Sequence, residues 1–138
     1  MKSLFSSSPL WPTGGHALVR IIFGLLLVYH GIEVFRPDVM QGYMTWSMFQ
    51  GRMASLMVYT GKSSEFVAGV FITLGLFTRI SSFLVMCTFT FITFFVGNGK
   101  FWYEDQHPFM FVLMGSVFFI HGPGAWSVDT WRSKVKNS

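Results

Sequence analysis

Four ionisable side chains interrupt apolar stretches of this sequence and are its best candidates for chemistry. They are His30, Glu33, Glu65 and His107. Imidazoles and carboxylates both exchange protons near neutral pH when their surroundings perturb them. His30 and Glu33 are three residues apart, a spacing that puts two side chains on one face of a helix. The sequence therefore predicts a polar cluster, provided that neighbouring helices bring the four groups together.

Several kinds of chemistry fit such a cluster, and the residues alone leave them open. The imidazoles and carboxylates could exchange protons with a quinol headgroup held among aromatic rings. They could bind a divalent metal, but no pair has a dedicated spacing such as Glu-x-x-His, so we predict no metal site. They could pair with one another and with the backbone to fix helix packing, or line a cleft for a partner. We treat them as a candidate quinol, proton or ligand site and assign no catalytic residue.

A second polar group is expected at the other end of the same helices, in a structural or anchoring role. It consists of Arg20, Arg79, His121 and Asp129. The two arginines lie where positive charges anchor helices against anionic headgroups. His121 and Asp129 flank the stretch Gly-Pro-Gly at residues 122–124, which is typical of a helix end followed by a turn.

The composition shows what kind of elements must position these groups. The chain has 138 residues, of which 51% are hydrophobic and only 12% charged, and its mean hydropathy is +0.49. Soluble domains carry about 25% charged residues, and a core of this size cannot hide so much apolar surface. Lipid is therefore the expected solvent. The single Cys87 excludes a disulfide relay within the chain, and the scattered basic excess does not favour nucleic acid as a partner.

Four apolar runs predict membrane-spanning helices. They cover residues 17–35, 65–78, 80–96 and 108–121. The fold class is accordingly all-α, an integral membrane four-helix bundle, and we treat residues 1–138 as a single domain. Antiparallel packing of these helices would gather the candidate site at one end of the bundle and the anchoring group at the other.

The long connection between the first two spans is predicted to contain short interfacial helices. Met40, Met44 and Met48 recur every four residues, with Tyr43 and Trp46 between them. Aromatic rings favour the headgroup layer, and methionine packs adaptably against apolar surfaces. We therefore expect one or two amphipathic helices at the membrane surface.

The distribution of basic residues predicts the orientation. An even number of spans puts both termini on one side, and six of the ten basic residues belong to that side. These six are Lys2, Arg20, Arg79, Arg132, Lys134 and Lys136. The positive-inside rule then predicts cytoplasmic termini.

The order of these motifs resembles the DoxX family of small four-helix bacterial membrane proteins. Residues 20–24, Arg-Ile-Ile-Phe-Gly, followed by His30-Gly31, are similar to the family's opening pattern. The family's second signature matches Glu-Phe-Val-Ala-Gly at residues 65–69 and Leu-Gly-Leu-Phe-Thr-Arg at 74–79. The Gly-Pro-Gly…Ser-x-Asp pattern at 122–129 resembles its closing motif. The resemblance covers about residues 17–131.

One departure matters for the candidate site. The family often has Gln-Lys shortly after its His-Gly pair, where this chain has Glu33-Val34. An acidic residue is gained and a basic one is lost, so no role of that lysine is carried over to this chain.

The resemblance implies a multi-pass protein of the bacterial inner membrane. The family is associated with a quinol-oxidising terminal oxidase, thiosulfate:quinone oxidoreductases and redox-stress complexes. On this basis we expect an accessory subunit of a quinone-linked redox or oxidative-stress assembly rather than a stand-alone enzyme. Quinone is the one cofactor considered, and the expected partners are membrane lipids, a membrane redox protein or a second copy of the chain. The alternatives are a small transporter or permease-like protein, and a scaffold that binds a larger membrane partner.

Overall fold

The computed structural model describes residues 7–8 and 11–136, and all regular secondary structure within them is helical. The six α-helices are α1 (Gly14–Gly31), α2 (Pro37–Met44), α3 (Ala54–Leu74), α4 (Thr78–Phe91), α5 (Gln106–His121) and α6 (Val128–Lys136). Short 3-10 turns form at Ile32–Phe35 and Ser47–Phe49, and a π-helical turn at Ile92–Val96 extends α4. The all-α fold class is confirmed. Lys2, which entered the charge count, and the ends of the proposed domain 1–138 lie outside the described residues.

Two helical segments are long and apolar enough to cross a membrane. They are Gly14–Phe35, with a mean hydropathy of 1.9, and Thr78–Val96, with 1.7. The first ends where the predicted span 17–35 ends but begins three residues earlier, at Gly14. The second likewise ends with the predicted span 80–96 and begins two residues earlier, at Thr78. Arg79 therefore lies inside the first turn of α4 rather than between two helices.

The predicted second span, 65–78, was wrong at both ends. The helix begins at Ala54 and ends at Leu74, so Glu65 lies in its middle. The polar residues before Glu65 do not end the helix, because the charge of Lys62 is paired inside the protein. The helix stops early because Gly75 adopts a left-handed conformation, with φ 65°.

The remaining predictions of helix position need smaller changes. The predicted fourth span, 108–121, begins at Gln106 and ends at His121 as expected. The short helices predicted between the first two spans are present as α2 and the turn at Ser47–Phe49, with Met40 fully buried between them and α3. Met57 lies in the first turn of α3, and Met53 is the residue immediately before that helix.

Helices α1 and α3 approach closely along a seam of glycines. A Cβ atom on Gly24 would lie 2.9 Å from the Gly69 carbonyl oxygen, and one on Gly69 would lie 2.6 Å from the Val28 backbone nitrogen. Such contacts are too short for any side chain, so only glycine permits this backbone approach.

Helices α1, α3, α4 and α5 share one apolar core. Its buried members are Phe23, Leu27, Ala68, Ile72, Val85, Phe89, Phe111 and Phe118. The outward faces are also apolar: Ile22, Ile80 and Ile120 are exposed by 50%, 70% and 66%. Apolar residues on both sides of a helix are typical of proteins whose solvent is lipid. We call the end of this helix group that carries Pro37–Met44 the α2 end, and the end that carries Val128–Lys136 the α6 end.

Candidate functional site

Lys62 is the centre of the polar cluster at the α2 end. Its ammonium nitrogen lies 2.9 Å from Oε2 of Glu33 and 3.0 Å from Oε2 of Glu65. The same nitrogen is 3.4 Å from the His30 carbonyl oxygen. The Tyr43 hydroxyl donates a 2.7 Å hydrogen bond to Glu33. One cation thus joins α1, the 3-10 turn that follows it, and α3, while α2 adds a neutral donor.

Pairing makes these charges tolerable in an apolar helix group. The Glu65 side chain is only 4% exposed and that of Lys62 only 14%. Unpaired charges at such positions would carry a large desolvation cost, which the two close carboxylates and one ammonium offset. Lys62 also lies 5.0 Å from the centre of the Tyr43 ring, within cation–π range. Burial, together with the hydrogen bond to Glu33, raises the pKa of Tyr43 above its ordinary value.

Two histidines lie beside this ion-paired group. The rings of His30 and His107 are 5.5 Å apart, and they lie 5.7 Å and 5.3 Å from the ring of Phe111. His30 is half-buried, whereas His107 is exposed. Among the residues that the structure describes, neither imidazole makes a side-chain hydrogen bond. Both rings therefore keep nitrogen atoms able to donate to, or accept from, a ligand or water.

The four predicted site residues thus lie together at the α2 end, but in two subsets. Glu33 and Glu65 are engaged by Lys62, while His30 and His107 contact each other and an aromatic ring. In the part of the chain that the structure describes, no three His, Cys, Asp or Glu residues are arranged to hold a metal ion. The arrangement is suited to exchanging protons with a polar group placed against the histidines.

Arg20 organises the α6 end. It is fully buried and donates hydrogen bonds to the carbonyl oxygens of Ile72 at 3.0 Å and Trp126 at 2.7 Å. Longer bonds of 3.4 Å and 3.2 Å reach Thr73 and Ala125. One guanidinium therefore satisfies the last carbonyls of α3 and those of the chain that leads into α6.

Asp129 caps the helix that follows the α3–α4 turn. Its carboxylate accepts 3.0 Å hydrogen bonds from the backbone N–H groups of Phe77 and Thr78, and a 3.2 Å bond from the Thr78 hydroxyl. Its own N–H donates to the Gly75 carbonyl at 2.9 Å. A carboxylate at a helix N-terminus satisfies free N–H groups and interacts favourably with the helix dipole.

The other two residues of the predicted anchoring group are not part of these contacts. Arg79 and His121 are exposed, and the His121 ring bonds to the Val117 carbonyl of its own helix at 3.0 Å. His16, which the sequence did not single out, lies 3.0 Å from the Gly122 carbonyl oxygen and 6.0 Å from the His121 ring.

Comparison with known proteins decides the family. The DoxX family model matches residues 15–98, which is more than half of the chain. The chain belongs to the DoxX family. Neither the curated proteins nor the solved structures include a significant match to it. Together with its two apolar helices, family membership makes it a membrane protein.

The DoxX match covers most of the candidate site. Residues 15–98 contain the complete ion-paired group of Glu33, Lys62 and Glu65, and also His30. His107 and the closing motif at 122–129 lie beyond it. The histidine pair therefore combines one residue inside the DoxX match with one outside it.

Lys62, the residue that connects this site, is not among the four residues that the sequence predicts for it. The prediction leaves Lys62 in the connection between two spans, because the predicted second span begins at Glu65. A signal was available: Lys62 and Glu65 are three residues apart, the spacing of a helical ion pair. Its pairing with Glu33 had no such signal, because the two residues are brought together only by the packing of α1 against α3.

Proposed function

We propose that this DoxX protein is a four-helix, multi-pass protein of the bacterial inner membrane. Helices α1, α3, α4 and α5 would cross the membrane, with both termini cytoplasmic. The 21 residues of α3 would span about 31 Å, enough for a hydrocarbon core of about 30 Å. Its charged residues do not argue against a membrane position, since Lys62 and Glu65 are paired.

Aromatic residues at the two ends of the helix group support this placement. Exposed aromatic side chains at the α2 end are Tyr29, Phe35, Trp46, Trp102 and Tyr103. Those at the α6 end are Trp11, Phe77, Trp126 and Trp131. Tryptophan and tyrosine favour the headgroup layers, so the two sets mark plausible borders of the hydrocarbon region.

We propose further that the protein is an accessory subunit of a quinone-linked redox or oxidative-stress assembly, in which it exchanges protons with quinol. The observation that carries this is the pair of imidazoles with free nitrogens, His30 and His107, beside an ion-paired group. A neutral imidazole can accept a hydrogen bond from a quinol hydroxyl. The two imidazoles lie against the buried ring of Phe111, which itself stacks on that of Phe89 at 4.6 Å, so the pair is supported from inside the core.

The proposed chemistry is limited to proton transfer. Oxidation of a quinol releases two protons and two electrons. The protons would pass to His30 and His107, and from the exposed His107 to water. The electrons would pass to a redox centre in the membrane partner, because the protein itself supplies position and proton exchange only. Glu33, Lys62 and Glu65 would hold α1 and α3 so that His30 faces α5.

The test compares the polar cluster with a histidine at the other end of the molecule. We would purify the protein in native lipid, measure retained quinone, and measure quinol oxidation in membranes. His30→Ala and Glu65→Gln should lose retained quinone and slow quinol oxidation. His121→Ala is the matched control, since among the described residues that exposed ring hydrogen-bonds within α5 alone, and it should change neither measurement.

The contrary outcomes are equally specific. No retained quinone in the unaltered protein, with unchanged quinol oxidation in both cluster variants, would refute the proposal. Altered uptake or efflux of a solute in the cluster variants, at unchanged quinol oxidation, would indicate a transporter. Capture of a fixed membrane partner that does not depend on the cluster would indicate a scaffold.

A further inference from the structure

Helix α6 is amphipathic and turns its polar side toward the rest of the protein. Asp129 contacts the beginning of α4, and the Thr130 hydroxyl donates a 2.8 Å hydrogen bond to the Gly124 carbonyl. The opposite side carries Trp131 and Val135, which are four residues apart and exposed by 65% and 59%. A helix that packs onto a water-soluble protein has the reverse arrangement, with its apolar side inward.

Basic residues border the apolar face of α6. At 3.6 residues per turn, Arg132 and Lys134 lie on opposite flanks of the stripe formed by Trp131 and Val135. Lys136 adds a third positive charge, and all three basic side chains are exposed. An apolar stripe with basic flanks is the pattern of helices that lie in the headgroup layer of a membrane.

The basic residues of α6 outnumber its acidic ones. Asp129 is the one acidic residue of α6, and both of its oxygens accept hydrogen bonds from the beginning of α4. Its negative charge therefore faces the protein, whereas the basic side chains of Arg132 and Lys136 are exposed. The complementary surface is an anionic one.

Neighbouring aromatic residues extend the same surface. The Arg132 guanidinium lies 5.6 Å from the centre of the Phe77 ring, which is itself 46% exposed. The exposed ring of Trp126 meets that of Trp11 edge-on at 6.0 Å. Exposed tryptophans beside basic residues are typical of the membrane–water interface.

We propose that α6 binds anionic phospholipid headgroups, with Trp131 and Val135 inserted between lipids and the three basic residues against phosphates. The inference uses the membrane location of the protein and is independent of the proposed quinol chemistry. Each basic residue near an anionic membrane surface strengthens binding by about fivefold, so Arg132 and Lys136 alone contribute on the order of 30-fold.

The test uses the full-length protein in vesicles, with a spin label on each side of α6. In a Cys87→Ser background, Val135→Cys places the label on the apolar face, and Ser133→Cys places a matched control on the polar side. The vesicles contain phosphatidylcholine alone or phosphatidylcholine mixed with phosphatidylglycerol. Collision with oxygen reports lipid contact, and collision with a water-soluble nickel chelate reports water contact.

The expected result is a contrast between the two labels and between the two lipids. With phosphatidylglycerol, the label at position 135 contacts lipid and the label at 133 contacts water or protein. Omitting phosphatidylglycerol, or replacing Arg132, Lys134 and Lys136 by Gln, raises nickel access several-fold at position 135 only. High salt acts in the same direction, because it screens the exposed charges.

Two outcomes overturn the proposal. In one, the label at 135 has the same water contact in both lipids and in both charge states. In the other, it is immobilised and shielded from both reagents, which indicates a protein partner or a second copy of the chain. If the labelled variants fail to fold, quenching of tryptophan fluorescence by brominated phosphatidylglycerol replaces them. The share of the fluorescence that this lipid quenches should be smaller in Trp131→Phe than in the unaltered protein. An unchanged share would equally overturn the proposal.

Discussion

Replacing Lys62 with methionine should be one of the most destabilising single changes in the protein. It keeps most of the side-chain volume and removes only the charge that Glu33 and Glu65 share. Both carboxylate oxygens lie within 3.0 Å of one nitrogen, so they are no more than about 6 Å apart. Without the cation they repel each other where Glu65 is only 4% exposed. Removing one partner of such a buried pair costs about 3–5 kcal/mol.

The chain provides a matched control for this change. Lys100 and Glu104 form an ion pair of similar length, 3.1 Å, but their side chains are 48% and 42% exposed. Exposed pairs of this spacing contribute about 0.3–0.5 kcal/mol, so Lys100→Met should have little effect. Both free energies of unfolding can be measured by titrating the protein in mild detergent with sodium dodecyl sulfate.

A double variant separates lost charge balance from lost packing. Adding Glu65→Gln to Lys62→Met removes one of the repelling charges and should recover at least about half of the lost stability, since Glu33 keeps its bond from Tyr43. The reasoning fails if Lys62→Met costs no more than Lys100→Met. It also fails if the double variant is less stable than Lys62→Met alone.

Three further predictions concern other parts of the structure. Arg20→Met should lower the free energy of unfolding by at least about 3 kcal/mol in the same titration, because the buried carbonyl of Ile72 and the partly buried carbonyl of Trp126 lose a charged donor. Gly75→Ala should cost about 1–3 kcal/mol, because φ is 65° and the added Cβ would collide with the Arg20 guanidinium. In an ultraviolet pH titration, Tyr43→Phe should lack one phenol ionisation that the unaltered protein shows, and that ionisation should occur above about pH 10. Because folding raises the pKa of Tyr43, its contribution to stability is present below about pH 10 and is lost as the pH rises through the folded-state pKa. If the ionisation missing from Tyr43→Phe occurs below about pH 10, the raised pKa of Tyr43 is contradicted.

Local patterns predicted much of the candidate site because its chemistry depends on short spacings. The three-residue step from His30 to Glu33 fixes their relation on α1 and the turn after it, whatever the rest of the protein does. The same kind of step joins Lys62 to Glu65, but the predicted second span begins at Glu65 and leaves Lys62 outside it. Contiguous polar residues predict a helix boundary, whereas paired charges allow the helix to continue through them.

Contacts between distant residues could not be predicted in this way. Asp129 caps α4 at Phe77 and Thr78, and Arg20 reaches the end of α3. Both contacts join residues about 50 positions apart, and nothing in the local pattern indicates the rotation of one helix against another. The anchoring group was therefore expected as one cluster of four, whereas Arg79 and His121 are exposed beside it.

By itself the sequence determined the all-helical class, the lipid solvent and the few positions where polar chemistry is possible. These properties follow from composition and from the 3.6-residue period, which each segment carries independently of its neighbours. Only the tertiary structure decided that Lys62 joins two carboxylates, that two histidines are left with free nitrogens, and that α6 turns its apolar side outward. Those features depend on how rigid helices rotate and slide against one another. The relative rotation and position of the helices are set by the close α1–α3 glycine contact and by the shared aromatic core. Both are formed by residues that lie far apart in the sequence.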